Sequence, residues 1–171
     1  RSAPPAIVSI FVGDELEGII ESIESDNGYE GTKKKTMKLG AKVLPRFLRD
    51  TTDRNRTSPF AFTGNKFEFR MLGSSASISD ANIYINSAVA SVLDEFADAL
   101  EKSTDFESDV HALTRDTLIA HRRIIFNGNG YDESWVKEAE KRGLSNYRTT
   151  PDCIPHMLDK KNVDLLTKEG I

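Results

Sequence analysis

The chain has 171 residues, of which 29% are charged and 38% hydrophobic, so it is long enough for a sizeable core, and one compact domain is the default expectation. Its formal net charge of −4 argues against general attraction to nucleic acid or to an anionic lipid surface. It contains no apolar run of the roughly 20 residues that a membrane helix needs, and its single cysteine, Cys153, rules out an intramolecular disulfide. These features predict a cytoplasmic protein without nucleic-acid or membrane partners.

The first predicted elements are a strand and a helix. Residues 7–12 form a β-rich apolar run that Gly13 ends. Asp14 is placed to cap a helix whose apolar residues recur at helical spacing, namely Leu16, Ile19, Ile20 and Ile23. A polar segment rich in glycine and lysine follows over residues 25–38. Such a cluster of positive charge is typical of a solvated loop, although it could also bind an anion.

Residues 66–71 alternate strictly between charged and apolar side chains. In a β-strand, Lys66, Glu68 and Arg70 would share one face, and the other face would carry Phe67, Phe69 and Met71. A solvated strand face would explain such an ionic row. A binding site would explain it equally well, because cations bind phosphate or carboxylate oxygens and a carboxylate holds a hard metal ion such as Mg²⁺ or Mn²⁺.

Arg56 strengthens the second interpretation. It lies shortly before the alternating segment, and a turn suggested by Pro59 and Gly64 would bring its guanidinium group back toward the charged face. Cations for phosphate together with a carboxylate for a metal ion favour a nucleotide site.

The second half of the chain is predicted to be helical. Residues 80–101 show an amphipathic pattern, and Thr104 to Glu107 have the form of a capping box, so two helices should pack as a hairpin. The run 127–130, Asn-Gly-Asn-Gly, favours a plain turn over a phosphate loop, because it lacks the lysine and the serine or threonine of a P-loop. Asp132 is placed to cap a short helix that buries Trp135, Val136 and Ala139 and stops at Gly143.

Several of these motifs resemble one enzyme family. Asn55-Arg56-Thr57, followed by Lys66-Phe67-Glu68-Phe69-Arg70, is similar to the glutamine synthetase pattern of an Asn-Arg-Ser step and a basic-x-Glu-x-Arg strand. The longer run 50–75 resembles the type III branch in particular, as do residues 3–9, 126–131 and 139–144. Since family members are several times longer, the resemblance implies a fragment in which residues 1–102 are the C-terminal part of the catalytic domain and residues 103–171 a helical type III region.

The resemblance also implies a reaction and a set of site residues. The family is a glutamate–ammonia ligase, which makes glutamine from glutamate, ammonia and ATP through γ-glutamyl phosphate and uses Mg²⁺ or Mn²⁺. By position in the motif, Glu68 would bind the metal ion that bridges the nucleotide phosphates, and Lys66 would contact the ATP phosphates. Arg70 would bind glutamate. Arg56, the implied catalytic residue, would hold both the transferred γ-phosphate of ATP and the substrate glutamate. The parent protein is expected to be a homo-oligomer.

Three departures from the family pattern bear on activity. Ser2 stands where the family has a flap glutamate before its Ala-Pro step, and Ala61 stands where the bacterial type I pattern has a further arginine for the ATP phosphates. The family's other metal ligands, its upstream glutamate-binding arginine and its nucleotide pocket would lie before residue 1. The isolated chain is therefore expected to be catalytically inactive.

The expected fold class is α+β. A few antiparallel strands from residues 6–12 and 60–72, which would be part of the glutamine synthetase catalytic sheet, are predicted to pack with the helix hairpin and a helical C-terminal tail. Two other functions remain open on the sequence alone. The chain could be a helical assembly or regulatory module of the parent enzyme without a catalytic role of its own, or an independent phosphate-binding module.

Overall fold

The computed structural model describes residues 7–27, 36–37, 47–48, 58–70, 73 and 75–168. The chain divides into two compact units. Unit 1 comprises Arg1–Met71 and Leu118–Ser145, and unit 2 comprises Leu72–Thr117 and Asn146–Ile171. Helices dominate the described residues and a small mixed sheet accompanies them, which confirms the predicted α+β class with its helical tail.

The main sheet of unit 1 has three short strands in the order β1 (Ile10–Phe11), β4 (Phe60–Phe62) and β5 (Phe67–Phe69). β4 and β5 are antiparallel, as predicted, but β1 runs parallel to β4. The long connection between β1 and β4 explains this difference, because it contains a helix and so can return the chain in the same direction. A separate antiparallel pair is formed by β2 (Thr36–Met37) and β3 (Phe47–Leu48).

A tight turn joins β4 to β5. The Thr63 backbone N–H donates to the Lys66 carbonyl over 2.8 Å, and Gly64 in the turn has a φ of 96°, which an L-residue rarely adopts. Beyond the strands, the Arg70 backbone N–H donates to the Pro59 carbonyl over 2.8 Å. The hairpin therefore holds residue 70 beside the residue at which the chain enters β4.

Helix α1 (Gly13–Ser25) follows β1, but its N-terminus differs from the prediction. Asp14 lies within the first turn and provides no side-chain cap. The chain instead passes through Gly13 with a φ of 80°, a conformation that favours glycine, and the amide groups at the start of the helix are bound by a side chain distant in sequence. Local sequence gave no indication of that partner.

The core of unit 1 forms where residue 7 meets helix α4 (Glu133–Lys141). Ile7, Trp135 and Ala139 are each 1% exposed, and Phe126 stacks on Trp135 with ring centroids 3.7 Å apart. The Asp132 carboxylate accepts a hydrogen bond from the Ser134 N–H at 2.9 Å, so the predicted cap of this helix is confirmed. The backbone turns at Gly143 with a φ of 68°, as predicted for the end of the helix.

Unit 2 contains α2 (Ser79–Leu100), most of α3 (Phe106–His121), α5 (Thr150–Cys153) and α6 (Lys160–Lys168), and 3₁₀ turns occupy Arg122–Ile124 in unit 1 and Ile154–Leu158 in unit 2. The main contacts of α2 are with α6 rather than with α3, so the expected hairpin of α2 and α3 is not the principal packing. No residue of α3 is buried, which means that its apolar positions do not form a closed face. No described helix is both long and apolar enough to cross a membrane.

Candidate functional site

The predicted ionic face is present on β5. The Arg70 Nη2 atom donates to Glu68 Oε2 over 3.0 Å, and the Lys66 Nζ atom lies 3.9 Å from Glu68 Oε1. The alternation of the strand therefore places a carboxylate between two cations, one close and one looser. We call Lys66, Glu68 and Arg70 the ionic cluster.

The exposure of the side chains in the ionic cluster indicates how much they stabilise the fold and whether a ligand can reach them. The side chains of Lys66, Glu68 and Arg70 are 66%, 40% and 22% exposed. An ion pair as accessible as that of Lys66 with Glu68 contributes about 0–1 kcal/mol to stability, because water screens it and the side chains lose conformational entropy. This pair consequently contributes little to holding the fold together, and its charged groups are accessible to solvent.

Ala61 and Phe11 lie beside Glu68 in the sheet. Ala61 is directly opposite Glu68 on β4, and Phe11 is in register with Ala61 on β1, so the three side chains share one face. Ala61 is 1% and Phe11 5% exposed. A longer residue at position 61 would have to displace one of its two neighbours. This packing explains why alanine fits at the position where the type I pattern has an arginine.

The opposite face of the hairpin is aromatic, as the alternation predicts. Phe67 stacks on Phe60 with ring centroids 5.3 Å apart, and it also contacts Phe62 at 5.2 Å. Phe69 meets Phe60 edge to face at 6.0 Å. These contacts fix the strand pair on the side away from the charges and so restrict the directions in which the ionic cluster can project.

Two of the predicted site residues fall outside the described residues. Arg56, predicted to hold phosphate and glutamate, is one of them, and Ser2, at the expected flap position, is the other. Met71, predicted on the aromatic face, also falls outside. The structure therefore brings Lys66, Glu68 and Arg70 together, and the roles predicted for these three residues and for Arg56 stay predictions.

The chemistry of the ionic cluster suits a divalent cation only in part. Glu68 supplies hard carboxylate oxygens, which Mg²⁺ and Mn²⁺ prefer. Across the described ranges, no group of three or more histidine, cysteine, aspartate or glutamate side chains is arranged to hold a metal ion. Glu68 therefore suits at most one position in the coordination of such an ion, and the other ligands would have to lie outside the described residues.

Unit 1 contains a polar network, not predicted from the sequence, that joins α1 to the residues after α3. The Asn127 Oδ1 atom accepts hydrogen bonds from the Val12 and Gly13 backbone N–H groups, both at 2.9 Å, and its Nδ2 atom donates to Glu17 Oε2 at 2.5 Å. Arg122 Nη2 donates to Glu17 Oε1 at 3.0 Å. We call Asn127, Glu17 and Arg122 the Asn127 network. The available signal was an asparagine in a turn, which predicts local rather than distant hydrogen bonds.

Comparison with known proteins finds one family to which the chain is similar. The family model of the glutamine synthetase C-terminal domain matches residues 109–171. The whole chain is similar to the glutamine synthetase of Butyrivibrio fibrisolvens, with 40% identity over 176 residues, and to that of Bacteroides fragilis (strain YCH46), with 42% identity over 178 residues. Its sequence is therefore similar to glutamine synthetases along its whole length.

The similarity extends to the type III branch. A type-3 glutamine synthetase of Dictyostelium discoideum is 40% identical over 174 residues, which confirms the type III resemblance drawn from the sequence. Each of the three alignments covers 100% of this chain and 24% of the relative. The chain therefore spans about a quarter of the length of these relatives and matches their C-terminal part.

Proposed function

We propose that the chain forms part of an ATP-dependent glutamate–ammonia ligase and contributes the ionic cluster to its active site. One observation carries this proposal: the Glu68 side chain, which is 40% exposed, is held between Arg70 and Lys66 at the β5 edge of the described three-stranded sheet. Similarity to glutamine synthetases supports it. A solvated strand face remains the competing explanation for the same three charges.

Each member of the site has a defined task in this proposal. Glu68 binds Mg²⁺ or Mn²⁺, which when bound neutralises charge on the nucleotide phosphates. Lys66 and Arg56 bind phosphate oxygens of ATP. Arg70 binds the substrate glutamate, whose carboxylate a guanidinium group suits, and Arg56 contacts both substrates. The contact between Arg70 and Glu68 keeps the guanidinium group oriented before glutamate arrives.

The reaction proceeds in two displacements. An oxygen of the glutamate γ-carboxylate attacks the γ-phosphorus of ATP, the bond from that phosphorus to ADP breaks, and γ-glutamyl phosphate forms. Ammonia then attacks the acyl carbon and loses a proton, and inorganic phosphate leaves to give glutamine. Arg56 and Lys66 stabilise the charge that develops on the transferred phosphoryl group, and these preorganised cations lower the barrier to its transfer.

Replacing Glu68 tests the proposal. In the complete enzyme, Glu68→Gln should lower the rate of glutamine formation at least about 100-fold, because one neutral oxygen replaces a charged metal ligand. Glu95→Gln on the exposed surface of α2 is the matched control and should leave the rate unchanged. The rate is measured as phosphate release from ATP that depends on ammonia and glutamate. A variant at position 68 that folds and works at the wild-type rate would refute the catalytic role.

We also propose that the 171-residue polypeptide by itself lacks this activity and that the complete protein is cytoplasmic. The span of the chain, 24% of its relatives, supports the first statement. Its single cysteine fits a reducing compartment. Glutamine formation by the purified polypeptide would overturn the first statement.

A second function, subunit assembly, is favoured by a different observation. On α2, Val89, Val92 and Leu93 are 52%, 43% and 59% exposed. Apolar side chains left this accessible on one helix are suited to contact another copy of the chain in a homo-oligomer. Val92→Ser together with Leu93→Ser should shift the complete enzyme to smaller species in analytical ultracentrifugation. An unchanged sedimentation coefficient would remove assembly as a role of α2.

A further inference from the structure

The side chain of Asn127 closes the start of α1. The first amide groups of a helix have no partner within it, and a helix N-terminus also carries partial positive charge. Asn127 Oδ1 accepts from both Val12 N–H and Gly13 N–H at 2.9 Å, which satisfies two of these groups at the junction between β1 and α1. Asn127 therefore acts as a cap supplied by a segment 114 residues away from Gly13.

The partners of Asn127 fix its orientation. Its Nδ2 atom donates to Glu17 Oε2, and the other oxygen of Glu17 accepts from Arg122 Nη2 at 3.0 Å. Arg122 Nη2 also donates to Glu21 Oε1 at 3.2 Å. A rotation of the amide by 180° would aim its oxygen at the Glu17 carboxylate and its nitrogen at two N–H groups. Both contacts would then be repulsive, so one orientation is strongly preferred.

The segment that carries Asn127 also pairs with β1. The Phe126 backbone N–H donates to the Ile10 carbonyl at 2.9 Å, and Ile10 forms a parallel bridge with Ile125. Phe126 is in turn stacked on Trp135, which is 1% exposed. Gly128 adds to this arrangement because a Cβ atom at that position would overlap the Phe126 ring. The segment is thus fixed to the core of unit 1 on one side and to β1 on the other.

β1 connects this fixed segment to the ionic cluster through the pairing of the sheet. Phe11 is in register with Ala61, and Ala61 is in register with Glu68. Both Phe11 and Ala61 are buried, so a displacement of β1 cannot be absorbed by empty space. A contiguous series of contacts therefore leads from Asn127 through β1 and β4 to Glu68.

From this series we infer that Asn127 is a positioning residue for the metal ion that Glu68 binds. The Asn127 network fixes the chain directly after β1, and β1 pairs with β4, which lies beside Glu68, so the network sets the position of the Glu68 carboxylate. The inference rests on the proposed function, because it takes Glu68 as a metal ligand. It adds a role for the Phe126–Tyr131 run, which the ligase mechanism leaves without one.

The test measures the dissociation constant of Mn²⁺ by electron paramagnetic resonance in the complete enzyme, below its unfolding temperature. Asn127→Ala should weaken Mn²⁺ binding about threefold to tenfold, the usual size of an effect relayed through packed residues. Asn127→Asp should also weaken it, because a second carboxylate would face Glu17. Asn129→Ala is the matched control, since Asn129 is exposed, lies in the same loop and accepts a hydrogen bond from the nearby Tyr131 N–H at 3.0 Å.

A charge-conserving exchange separates positioning from a general loss of stability. In the double variant Asn127→Asp with Glu17→Gln, the aspartate accepts from Val12, Gly13 and the new amide, while the glutamine oxygen accepts from Arg122. Every hydrogen bond within the Asn127 network is retained with one donor reversed. The double variant should recover wild-type Mn²⁺ affinity. Hydrogen exchange should rise in peptides covering residues 7–13 and 58–70 for Asn127→Asp alone.

Each outcome decides the inference. Wild-type Mn²⁺ affinity in folded Asn127→Asp would overturn it, as would a double variant that folds but binds as weakly as the single one. A merely structural role would lower the unfolding temperature without changing Mn²⁺ affinity or exchange in residues 58–70. Glu68→Gln, measured in parallel, tests the proposed function separately. If it leaves Mn²⁺ affinity unchanged, the metal role of Glu68 fails, whereas a loss at Glu68 with no effect at Asn127 rejects only the positioning role.

Discussion

The two units of the chain keep their apolar side chains in different environments. Among the residues that the structure describes, the buried apolar ones all lie in unit 1, namely Ile7, Phe11, Val12, Ile20, Ala61, Trp135 and Ala139. Within the described part of unit 2, the buried residue is Ser87, and α2 leaves Val89, Val92 and Leu93 about half exposed. Unit 1 can therefore hold polar side chains in fixed positions, whereas unit 2 offers apolar surface. The candidate site lies in the unit that has its own core.

The largest effect should come from the core of unit 1. Trp135→Ala removes a buried ring that stacks on Phe126 and packs against Ile7, so it should lower the free energy of unfolding by about 3–5 kcal/mol. Leu93→Ala in unit 2 should cost about 0.5 kcal/mol or less, because that side chain is 59% exposed. Urea unfolding followed by circular dichroism measures both variants. Equal losses would contradict the contrast between the units.

A smaller effect is expected at Gly128. Its Cβ in Gly128→Ala would meet the Phe126 ring, and the resulting strain should cost about 1–3 kcal/mol of unfolding free energy. Gly18→Ala, within α1, is the matched exchange in a helix interior and should stabilise the protein by up to about 1 kcal/mol. The same urea titration gives both values. A Gly128 variant as stable as the wild type would mean that the Phe126 stack adapts freely.

The smallest expected effect is on the pH dependence of the free energy of unfolding. The hydrogen bond from Arg142 to Glu138 lowers the pKa of Glu138 below its ordinary value of 4.5. The folded state thus favours the ionised form, so this contribution to stability is present above the unfolded-state pKa and is lost as pH falls through the folded-state pKa. Glu138→Gln should slightly reduce the dependence of the free energy of unfolding on pH in the acid range. Glu140→Gln should leave that dependence unchanged. Identical profiles for the two variants would show that the pair contributes nothing.

The sequence predicted those features that depend on local pattern. Strict alternation places Lys66, Glu68 and Arg70 on one face, and period 2 leaves no other arrangement for a strand. The cap at Asp132 and the burial of Trp135 and Ala139 follow from equally local signals. For such features the residues that decide the structure are neighbours in the chain.

Features that depend on residues distant in the sequence could not be predicted from local pattern. The direction of β1 depends on pairing with β4, about 50 residues further along, and the cap of α1 comes from Asn127 rather than Asp14. The preference of α2 for α6 over α3 reflects tertiary contacts that amphipathic spacing alone does not specify. Within the site, alternation identifies the charged side chains but carries no information about the residues that position them.

The proposed active site depends most on Glu68 as a metal ligand, and counting bound Mn²⁺ tests this role of Glu68 directly. Electron paramagnetic resonance should show that the complete enzyme with Glu68→Gln binds Mn²⁺ at least about tenfold more weakly at one class of site. The Glu95→Gln control should bind as the wild type does. Unchanged affinity and stoichiometry in a folded Glu68 variant would contradict the account and leave the ionic cluster as a solvated strand face.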